Sequence, residues 1–282
     1  MQDDTTVAVE ETEYTPYYDM LKLLDRKHKI IPSNPENSFR PVISDYEVDA
    51  VSGHDRVMLL KSNPCNPTGV ETTGDKLRTL VEMSMQHGRA AMFDEAYEFY
   101  CDPPVSALQY IPDINQTEIV VVGAATKGLQ VPGMRIGWAI ASESIIEVFR
   151  NYSSIGMGGV SRPAQIYVTR LLELERVRQA RDAVSNFFQQ QRDRYREGLT
   201  KLGIELFTGN GGFYHWGRLP GETSAAEFNE RLFQHNAGIL PGVVCDMHRR
   251  NNGPLENFIR FSFGPILPET YEGNLEILAK CL

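Results

Sequence analysis

Cysteine, basic charge and long apolar runs are all scarce in this chain, and each shortage excludes a class of protein. The four cysteines stand far apart with no CxxC pair. We therefore expect reduced thiols in a cytoplasmic protein, without a disulfide framework or a zinc site. No apolar run approaches the ~20 residues that a membrane helix requires. The net charge of −9 argues against nucleic acid or an anionic membrane as a partner, because both need a basic surface.

Motifs for metals, nucleotides and secretion are scarce too. Asp246 and His248 could form a metal pair, but a solvated loop explains them better. Gly156–Gly159 lacks the full dinucleotide fingerprint and does not directly follow a strand. The first ten residues show neither the basic nor the apolar segment of a secretory signal. We therefore expect no metal, no nucleotide and no export.

What the chain does contain is an alternation of short apolar runs with amphipathic stretches, which is typical of βαβ units around a parallel sheet. The run Ile119–Val122 is apolar on both faces, as expected for a strand that helices cover on both sides. The first two-thirds of the chain therefore predicts an α/β fold with a mostly parallel sheet, and Asp75–His87 predicts one of its helices. The predicted strands are Thr6–Glu10, Lys29–Pro32, Val57–Lys61, Ala90–Asp94, Glu118–Ala124 and Arg135–Ala141.

The last third differs in character. One apolar stripe at three- and four-residue intervals predicts a long helix over Pro163–Leu202. The arginines and acids on its other face, Arg192 among them, are of mixed sign and indicate a solvated surface. Short strands and helices follow and predict a smaller α+β domain. We expect a large domain over residues 1–190 and a small one over 191–282.

Two polar segments follow consecutive predicted strands. In Asn63–Gly69 (NPCNPTG), each Asn precedes a Pro and is held extended, which would present an amide where α/β sheets bind ligands. In Phe93–Tyr97 (FDEAY), Asp94 ends an apolar strand and needs a charged partner, such as a protonated pyridine nitrogen. Tyr97 can reach the same place if the chain turns. A proline-rich loop and an acid that caps a turn are the alternative interpretations.

Two basic residues also stand in unusual places. Lys127 follows a fully apolar strand within Ala124–Gly137, where a lysine can lose its proton and form a Schiff base, although most such lysines are surface residues. Arg135 opens the next strand and could close on a phosphate. Arg260 lies inside the alternating strand Phe258–Phe263, where it needs a partner. That partner is either a ligand carboxylate or a protein acid in a salt bridge.

Taken in this order, the four segments resemble those of the class I and II aminotransferases, which are fold-type I enzymes that use pyridoxal phosphate (PLP). The resemblance covers essentially the whole chain, because Gly211–Trp216 and Leu240–Gly242 also look like the small-domain strands of that family. It implies a PLP-binding domain, a smaller C-terminal domain and a homodimer. It also implies transfer of an amino group between an amino acid and a 2-oxo acid.

The resemblance further implies a complete cofactor site. Lys127 would hold the cofactor as a Schiff base and later move the substrate's proton, and Asp94 would keep the pyridine nitrogen protonated so that the ring accepts electrons. The other implied ligands are Tyr18 (or Tyr17) on the face of the ring, Tyr97 and Asn66 at its phenolic oxygen, Arg135 at the phosphate, and Arg260 with Asn66 at the substrate.

The chain departs from the family pattern at two places. Ala124 stands where the family usually has a serine that binds phosphate. The family also has roughly a hundred residues, about half a domain, before the strand that matches Thr6–Glu10. These residues include a central strand and a phosphate-binding helix start. Only five residues precede Thr6 here, so we expect Arg135–Ala141, the neighbour of the absent strand, to be an exposed edge.

Two other functions stay open. A PLP lyase, such as a carbon–sulfur lyase or a relative of aminocyclopropane-carboxylate synthase, would use the same motifs, and Thr15–Tyr18 (TPYY) resembles the latter group. A catalytically impaired family member would keep the fold and bind the cofactor poorly, because the phosphate loop is absent. The motifs indicate where the cofactor attaches, but they do not distinguish which substrate bond then breaks.

Overall fold

Two β-sheets organise the computed structural model, which describes residues 5–49, 56–250 and 252–282. The strands of the larger sheet are β1 (Thr5–Glu10), β2 (His28–Ile31), β3 (Arg56–Ser62), β4 (Arg89–Asp94), β5 (Ile119–Ala124) and β6 (Gly137–Ile140). Their order is β2-β1-β3-β4-β5-β6. The first five are parallel, and β6 runs antiparallel to β5. All six predicted strands are present, with ends within two residues of those expected.

The apolar runs form strands because both faces of the sheet are covered. Every residue of β1 is buried, and so are the first three residues of β5. The helices of this part are α1 (Thr15–Leu23), α2 (Gly74–Ser84), α3 (Ala125–Gly128), α4 (Glu143–Gly156) and α5 (Arg162–Leu171). The helix expected over Asp75–His87 is therefore confirmed as α2.

The single long helix expected over Pro163–Leu202 is wrong. The chain forms α5 and then a separate 28-residue helix, α6 (Leu174–Lys201). The break lies at Leu172 and Glu173, where Glu173 has an extended backbone (φ −60°, ψ 133°). Apolar residues keep a helical spacing across this break, so periodicity alone did not reveal it.

The polar face of α6 also departs from expectation at one residue. The side chain of Arg192 is fully buried. Its Nη1 donates to Gln189 Oε1 and its Nη2 donates to the carbonyl oxygen of Gly212, each at 2.6 Å. The solvated interpretation is wrong for Arg192 because the loop over residues 207–213, between two strands of the small sheet, supplies an acceptor to this part of the helix.

The small sheet is antiparallel. It contains β7 (Glu205–Leu206), β8 (Tyr214–Arg218), β9 (Leu240–Pro241) and β10 (Phe258–Ser262) in the order β7-β8-β10-β9. The helices α7 (Ala225–Phe233) and α8 (Tyr271–Cys281) accompany it. With the larger sheet it gives the expected fold class, a mostly parallel α/β sheet with helices and a smaller α+β part. The expected boundary between the domains, at residue 190, falls inside α6 and stays a prediction. Residues 1–4, 50–55 and 251 of the two expected domains lie outside the described residues.

The strand β6 is an edge of the larger sheet within the described residues, as expected for Arg135–Ala141. Ile140 is 39% exposed at this edge. In the same ranges, no helix combines the length and the apolar content needed to cross a membrane.

The loop at Asp246 differs from the solvated loop expected there. Asp246 is buried and forms an isolated antiparallel bridge with Thr12. Its Oδ2 accepts from Arg250 Nε at 2.9 Å. That interpretation is wrong for Asp246 because its charge is paired inside the protein. The described residues contain no group of three or more side chains of the kinds that hold a metal.

Candidate active site

The register of the larger sheet brings several distant polar residues to one edge. Ser62 at the end of β3 lies opposite Asp94 at the end of β4, which in turn lies opposite Val122 of β5. A cavity of about 280 Å³ opens at these strand ends, the usual place for a ligand in an α/β sheet. Its lining residues are Tyr14, Ser62, Asn66, Asp94, Ala96, Tyr97, Lys127, Phe213 and Arg260.

Five of the residues expected at a cofactor site therefore meet in one cavity, namely Asn66, Asp94, Tyr97, Lys127 and Arg260. Larger cavities lie elsewhere, one of about 440 Å³ beside Cys101–Ser106 and one of about 630 Å³ beside β6. Neither is lined by a lysine. The smaller cavity is the candidate site because it alone of these three joins an amine, a carboxylate and a guanidinium.

The two asparagines of the NPCNPTG segment have different tasks. The side chain of Asn63 closes the loop: its Nδ2 donates to Thr72 O at 3.0 Å and its Oδ1 accepts from Thr72 N at 2.8 Å. Gly69 has φ +68°, and a Cβ there would lie 2.5 Å from the carbonyl oxygen of Gly211. The loop is thus held from both sides, which leaves Asn66 to face the cavity.

Arg260 reaches the cavity from β10. Its Nη1 donates to Asn66 Oδ1 at 2.7 Å, and its guanidinium lies 5.3 Å from the centre of the Tyr214 ring. Its Nε is buried without a hydrogen-bond partner. Among the described residues no acid forms a salt bridge with it, so the structural ion pair considered above has no candidate partner there. The guanidinium keeps donors free for a ligand carboxylate.

Asp94 combines both interpretations of its segment. Its Oδ1 accepts from the backbone N–H of Ala96 at 3.1 Å, which is the turn-capping contact. Its Oδ2 accepts from Tyr17 Oη at 2.8 Å. Burial raises the pKa of Asp94 above its usual range, although the two hydrogen bonds act in the opposite direction. A cation that binds in the cavity next to Asp94 would therefore stabilise the ionised form of this carboxyl group.

Lys127 lies at the end of the short helix α3, directly after β5. Its Nζ lies 4.9 Å from the ring centre of Phe213 and 5.7 Å from that of Tyr97. Burial lowers the pKa of the Lys127 amine, and the charges of Arg260 and Arg135 lower it further. A lowered pKa increases the fraction of free amine, which is the form that attacks a carbonyl carbon.

Tyr97 forms the wall between the cavity and the aromatic core of the small domain. Its ring lies 5.4 Å from the Tyr214 ring and 5.6 Å from the Phe213 ring. Burial raises the pKa of Tyr97 to about 12, while the nearby Arg260 charge acts to lower it. The phenol is therefore a neutral hydrogen-bonding group at physiological pH.

The aromatic residue expected on the ring face is placed differently. Tyr18 does not line the cavity; its ring lies 4.3 Å from the guanidinium of Arg249. Tyr14 lines the cavity instead, and Tyr17 contacts Asp94. The chain becomes helical at Thr15, which carries Tyr18 one turn beyond the strand ends, so Tyr14 is a better candidate than Tyr18 for the ring face.

Four lining residues were not predicted as site residues: Tyr14, Ser62, Ala96 and Phe213. Ser62 ends β3 directly before the asparagine loop, so its position at a strand end was a usable signal. Phe213 lies inside the expected small-domain strand Gly211–Trp216, but only its position beside Lys127 shows that it lines the cavity.

Arg135 lies apart from the cavity lining. It is exposed with φ +51°, and its Nη1 donates to the carbonyl oxygen of Pro132 at 3.1 Å. Its charge is still close enough to lower the pKa of Lys127. The expected contact between Arg135 and a phosphate stays a prediction.

Comparison with known proteins identifies the family of the chain. A family model described as aminotransferase class I and II matches residues 1–273. A probable aspartate/prephenate aminotransferase of Thermus aquaticus is 26% identical over 237 residues, which are 82% of this chain and 60% of that protein. A rice protein, 1-aminocyclopropane-1-carboxylate synthase 2, is 27% identical over 268 residues, 86% of this chain and 54% of that protein. The chain thus spans little more than half the length of these relatives.

The fold has close counterparts among solved structures. An aspartate aminotransferase from Thermus thermophilus with maleate superposes with a TM-score of 0.86 at 23% sequence identity. The superposition covers 100% of this chain and 71% of that one. At this identity the likeness establishes the fold, including the mixed six-stranded sheet and the smaller antiparallel part.

Proposed function

Because the chain belongs to the class I and II aminotransferase family, we propose that it is a PLP-dependent aminotransferase. It would move an amino group between an amino acid and a 2-oxo acid. The observation that carries the proposal is the meeting of Lys127, Asp94 and Arg260 at one cavity, although the sequence separates them widely. An amine of lowered pKa, a buried acid and an arginine with free donors are the groups that this chemistry needs.

The residues at the cavity suit the ring and the substrate end of the cofactor site. The volume of about 280 Å³ is near the lower end of small-molecule sites, which begin at about 300 Å³. The unpartnered Nε of Arg260 provides a donor for an anionic group. Pyridoxal phosphate, when bound, supplies an electron sink for the negative charge that develops at the substrate's Cα.

Each residue then has a defined task. Lys127 holds the cofactor covalently through its amine and, once released, moves the proton at the substrate's Cα. Asp94, oriented by Tyr17, keeps a proton on the ring nitrogen. Arg260, oriented by Asn66, binds the substrate's carboxylate.

The remaining assignments complete the site. Tyr14 takes the place on the ring face, and Tyr97 and Asn66 hydrogen-bond the phenolic oxygen. Arg135 would move to the phosphate. We further propose a cytoplasmic homodimer with a large domain over residues 1–190 and a small domain over 191–282.

A PLP lyase is the second candidate, and its support is the similarity to the rice aminocyclopropane-carboxylate synthase. The two functions share the attachment of the cofactor and differ in the product. A catalytically impaired member of the family is the third candidate.

Product analysis with the purified chain and added PLP distinguishes the three candidates. A keto acid that forms only in the presence of a 2-oxo acid acceptor supports transamination. Ammonia and pyruvate without an acceptor support β-elimination, and release of 1-aminocyclopropane-1-carboxylate supports the synthase. A colourless protein that forms no product with any substrate supports the impaired member.

A further inference from the structure

A buried acid lies behind the cavity and takes no part in the function proposed above. Glu13 is fully buried between β1 and α1. Its Oε1 accepts from the backbone N–H of Tyr14 at 2.9 Å, and its Oε2 accepts from that of Ser62 at 3.1 Å. Oε1 also forms a short hydrogen bond with the Ser62 hydroxyl. Both Tyr14 and Ser62 line the cavity, so Glu13 supports two segments of its wall.

No cation forms an ion pair with Glu13 among the described residues, although the charge of Lys61 acts to lower its pKa. The buried amine nearby, that of Lys61, forms an ion pair with Glu10, which also accepts from Tyr46 Oη at 2.5 Å. A buried carboxylate without an opposite charge is costly, so the neutral form is favoured. In agreement, burial and then the Glu10 charge raise the pKa of Glu13 to about 8.

The hydroxyl of Ser62 connects Glu13 to the cavity. A hydroxyl has one hydrogen to donate and two lone pairs. One lone pair of Ser62 Oγ accepts from the backbone N–H of Asn66 at 3.1 Å. If Glu13 is protonated, it donates to the second lone pair, and the Ser62 hydrogen is free to point into the cavity. If Glu13 is ionised, Ser62 must donate to it, and a lone pair faces the cavity instead.

We propose that Glu13 is a positioning residue whose single proton decides whether Ser62 offers the cavity a hydrogen-bond donor or an acceptor. Protonated Glu13 thus favours an anionic ligand oxygen beside Ser62, and ionised Glu13 disfavours it. The importance of this switch for catalysis depends on the proposed function. The protonation itself and its effect on Ser62 do not.

Other titratable groups surround Glu13, and none of those described below is expected to change its charge near pH 8. Glu10 of β1 and Lys61 of β3 are paired with each other. Burial raises the pKa of Cys65, Tyr17 and Cys245 above their usual values, so all three stay neutral at moderately alkaline pH. Glu13 is therefore the member of this group that changes charge near pH 8.

NMR on the cofactor-free chain tests the proposal without any turnover. Carboxyl ¹³C shifts of labelled glutamates follow the titration, and the backbone ¹⁵N–¹H shift of Asn66 follows the state of Ser62. We expect a carboxyl that titrates near pH 8 and an Asn66 amide that shifts with the same midpoint. In Glu13→Gln, which mimics the protonated acid, both changes should disappear.

A matched control exists in Glu95, a second buried acid whose pKa burial raises to about 8 and which does not line the cavity. Glu95→Gln should remove its own carboxyl signal and leave the titration of Asn66 in place. An Asn66 titration that persists in Glu13→Gln, or a Glu13 midpoint in the ordinary range of a glutamate, would overturn the proposal.

A second variant tests the proposal even if Glu13→Gln does not fold. Ser62→Ala removes the hydroxyl that stabilises ionised Glu13. In this variant ionised Glu13 loses the hydrogen bond that the hydroxyl donates to it. Because this loss disfavours the ionised form, the midpoint of the Glu13 titration should rise by about one to two pH units. An unchanged midpoint in Ser62→Ala would show that Ser62 does not respond to Glu13, and the switch would be refuted.

Discussion

The centre of the larger sheet and its edge at β6 differ in polarity: the centre is lined by charged and polar groups, and the edge is apolar. At the centre, the ends of β3, β4 and β5 collect buried charged and polar groups, several with displaced pKa values. At the edge, β6 faces an apolar groove formed with α4 and α5, and Ile155 of α4 is 89% exposed. The centre is the candidate site, whereas the edge is an apolar surface that no other element covers within the described residues.

This contrast shows that the arrangement of the polar groups at the centre does not depend on whether the edge strand β6 is covered. The central groups are oriented by contacts among themselves, such as Arg260 with Asn66 and Tyr17 with Asp94. None of these contacts passes through β6. Changes at the centre should therefore alter binding and turnover, and changes at the edge should alter association alone.

The largest effect is expected for Lys127→Ala. Loss of its proton transfer alone should lower turnover by about 10²–10⁴-fold, and covalent attachment of PLP should disappear. Borohydride reduction followed by peptide mass spectrometry measures the attachment. The control is Lys201→Ala, since Lys201 is exposed and pairs with Glu197 on α6. A stable reduced adduct in Lys127→Ala would place the anchor at another lysine.

A smaller effect is expected for Arg260→Ala, which removes the substrate's carboxylate partner and leaves Lys127 and Asp94. Truncating one partner of a buried charge pair costs about 2–5 kcal/mol, so KM should rise by roughly 30-fold or more. Affinity for PLP should change little. Arg218→Ala is the matched control, because Arg218 of the neighbouring strand β8 pairs with Glu205 at the surface. An unchanged KM in Arg260→Ala would remove its assignment as the substrate anchor.

The centre should also make stability depend on pH, through Glu95. Burial raises the pKa of Glu95 to about 8, from 4.5 in an exposed chain. Between these values the folded chain holds a proton that the unfolded chain releases, so stability falls as pH rises and levels off above about 8. Glu95→Gln should gain on the order of 3 kcal/mol relative to the natural chain between about pH 5 and about pH 9.

Urea denaturation of both chains at several pH values measures this difference. A difference that does not vary with pH would show that Glu95 is ionised in the folded protein.

The smallest effect on the site is expected at the edge. An exposed apolar edge strand can pair with the edge strand of another chain, and a charged side chain on the edge opposes this pairing. Ile140→Lys should therefore reduce self-association in sedimentation experiments, with stability changed by no more than about 0.5 kcal/mol. Val42→Lys is the control, because Val42 is 60% exposed and lies elsewhere. Equal association of both variants with the natural chain would show that β6 does not mediate it.

Local patterns were enough to predict much of the fold and of the site. Short apolar runs predict β1 to β6, and the most buried of them, β1, is apolar because both faces of the sheet are covered there. The meeting of Asn66, Asp94, Tyr97 and Lys127 was predictable because each ends or follows a strand, and the ends of parallel strands meet at one edge. Arg260 was found because an arginine inside an apolar strand requires a partner.

Local sequence indicates which side chains could take part in chemistry, whereas contacts between distant segments control how those side chains are arranged. Tyr14 rather than Tyr18 lines the cavity because a helix begins at Thr15. Arg192 is buried because a loop distant in sequence covers it. Burial and the nearby Glu10 charge raise the pKa of Glu13, and Lys61 forms its ion pair with Glu10 rather than with Glu13. Each of these depends on partners that are far apart along the chain, and local periodicity has no information about such partners.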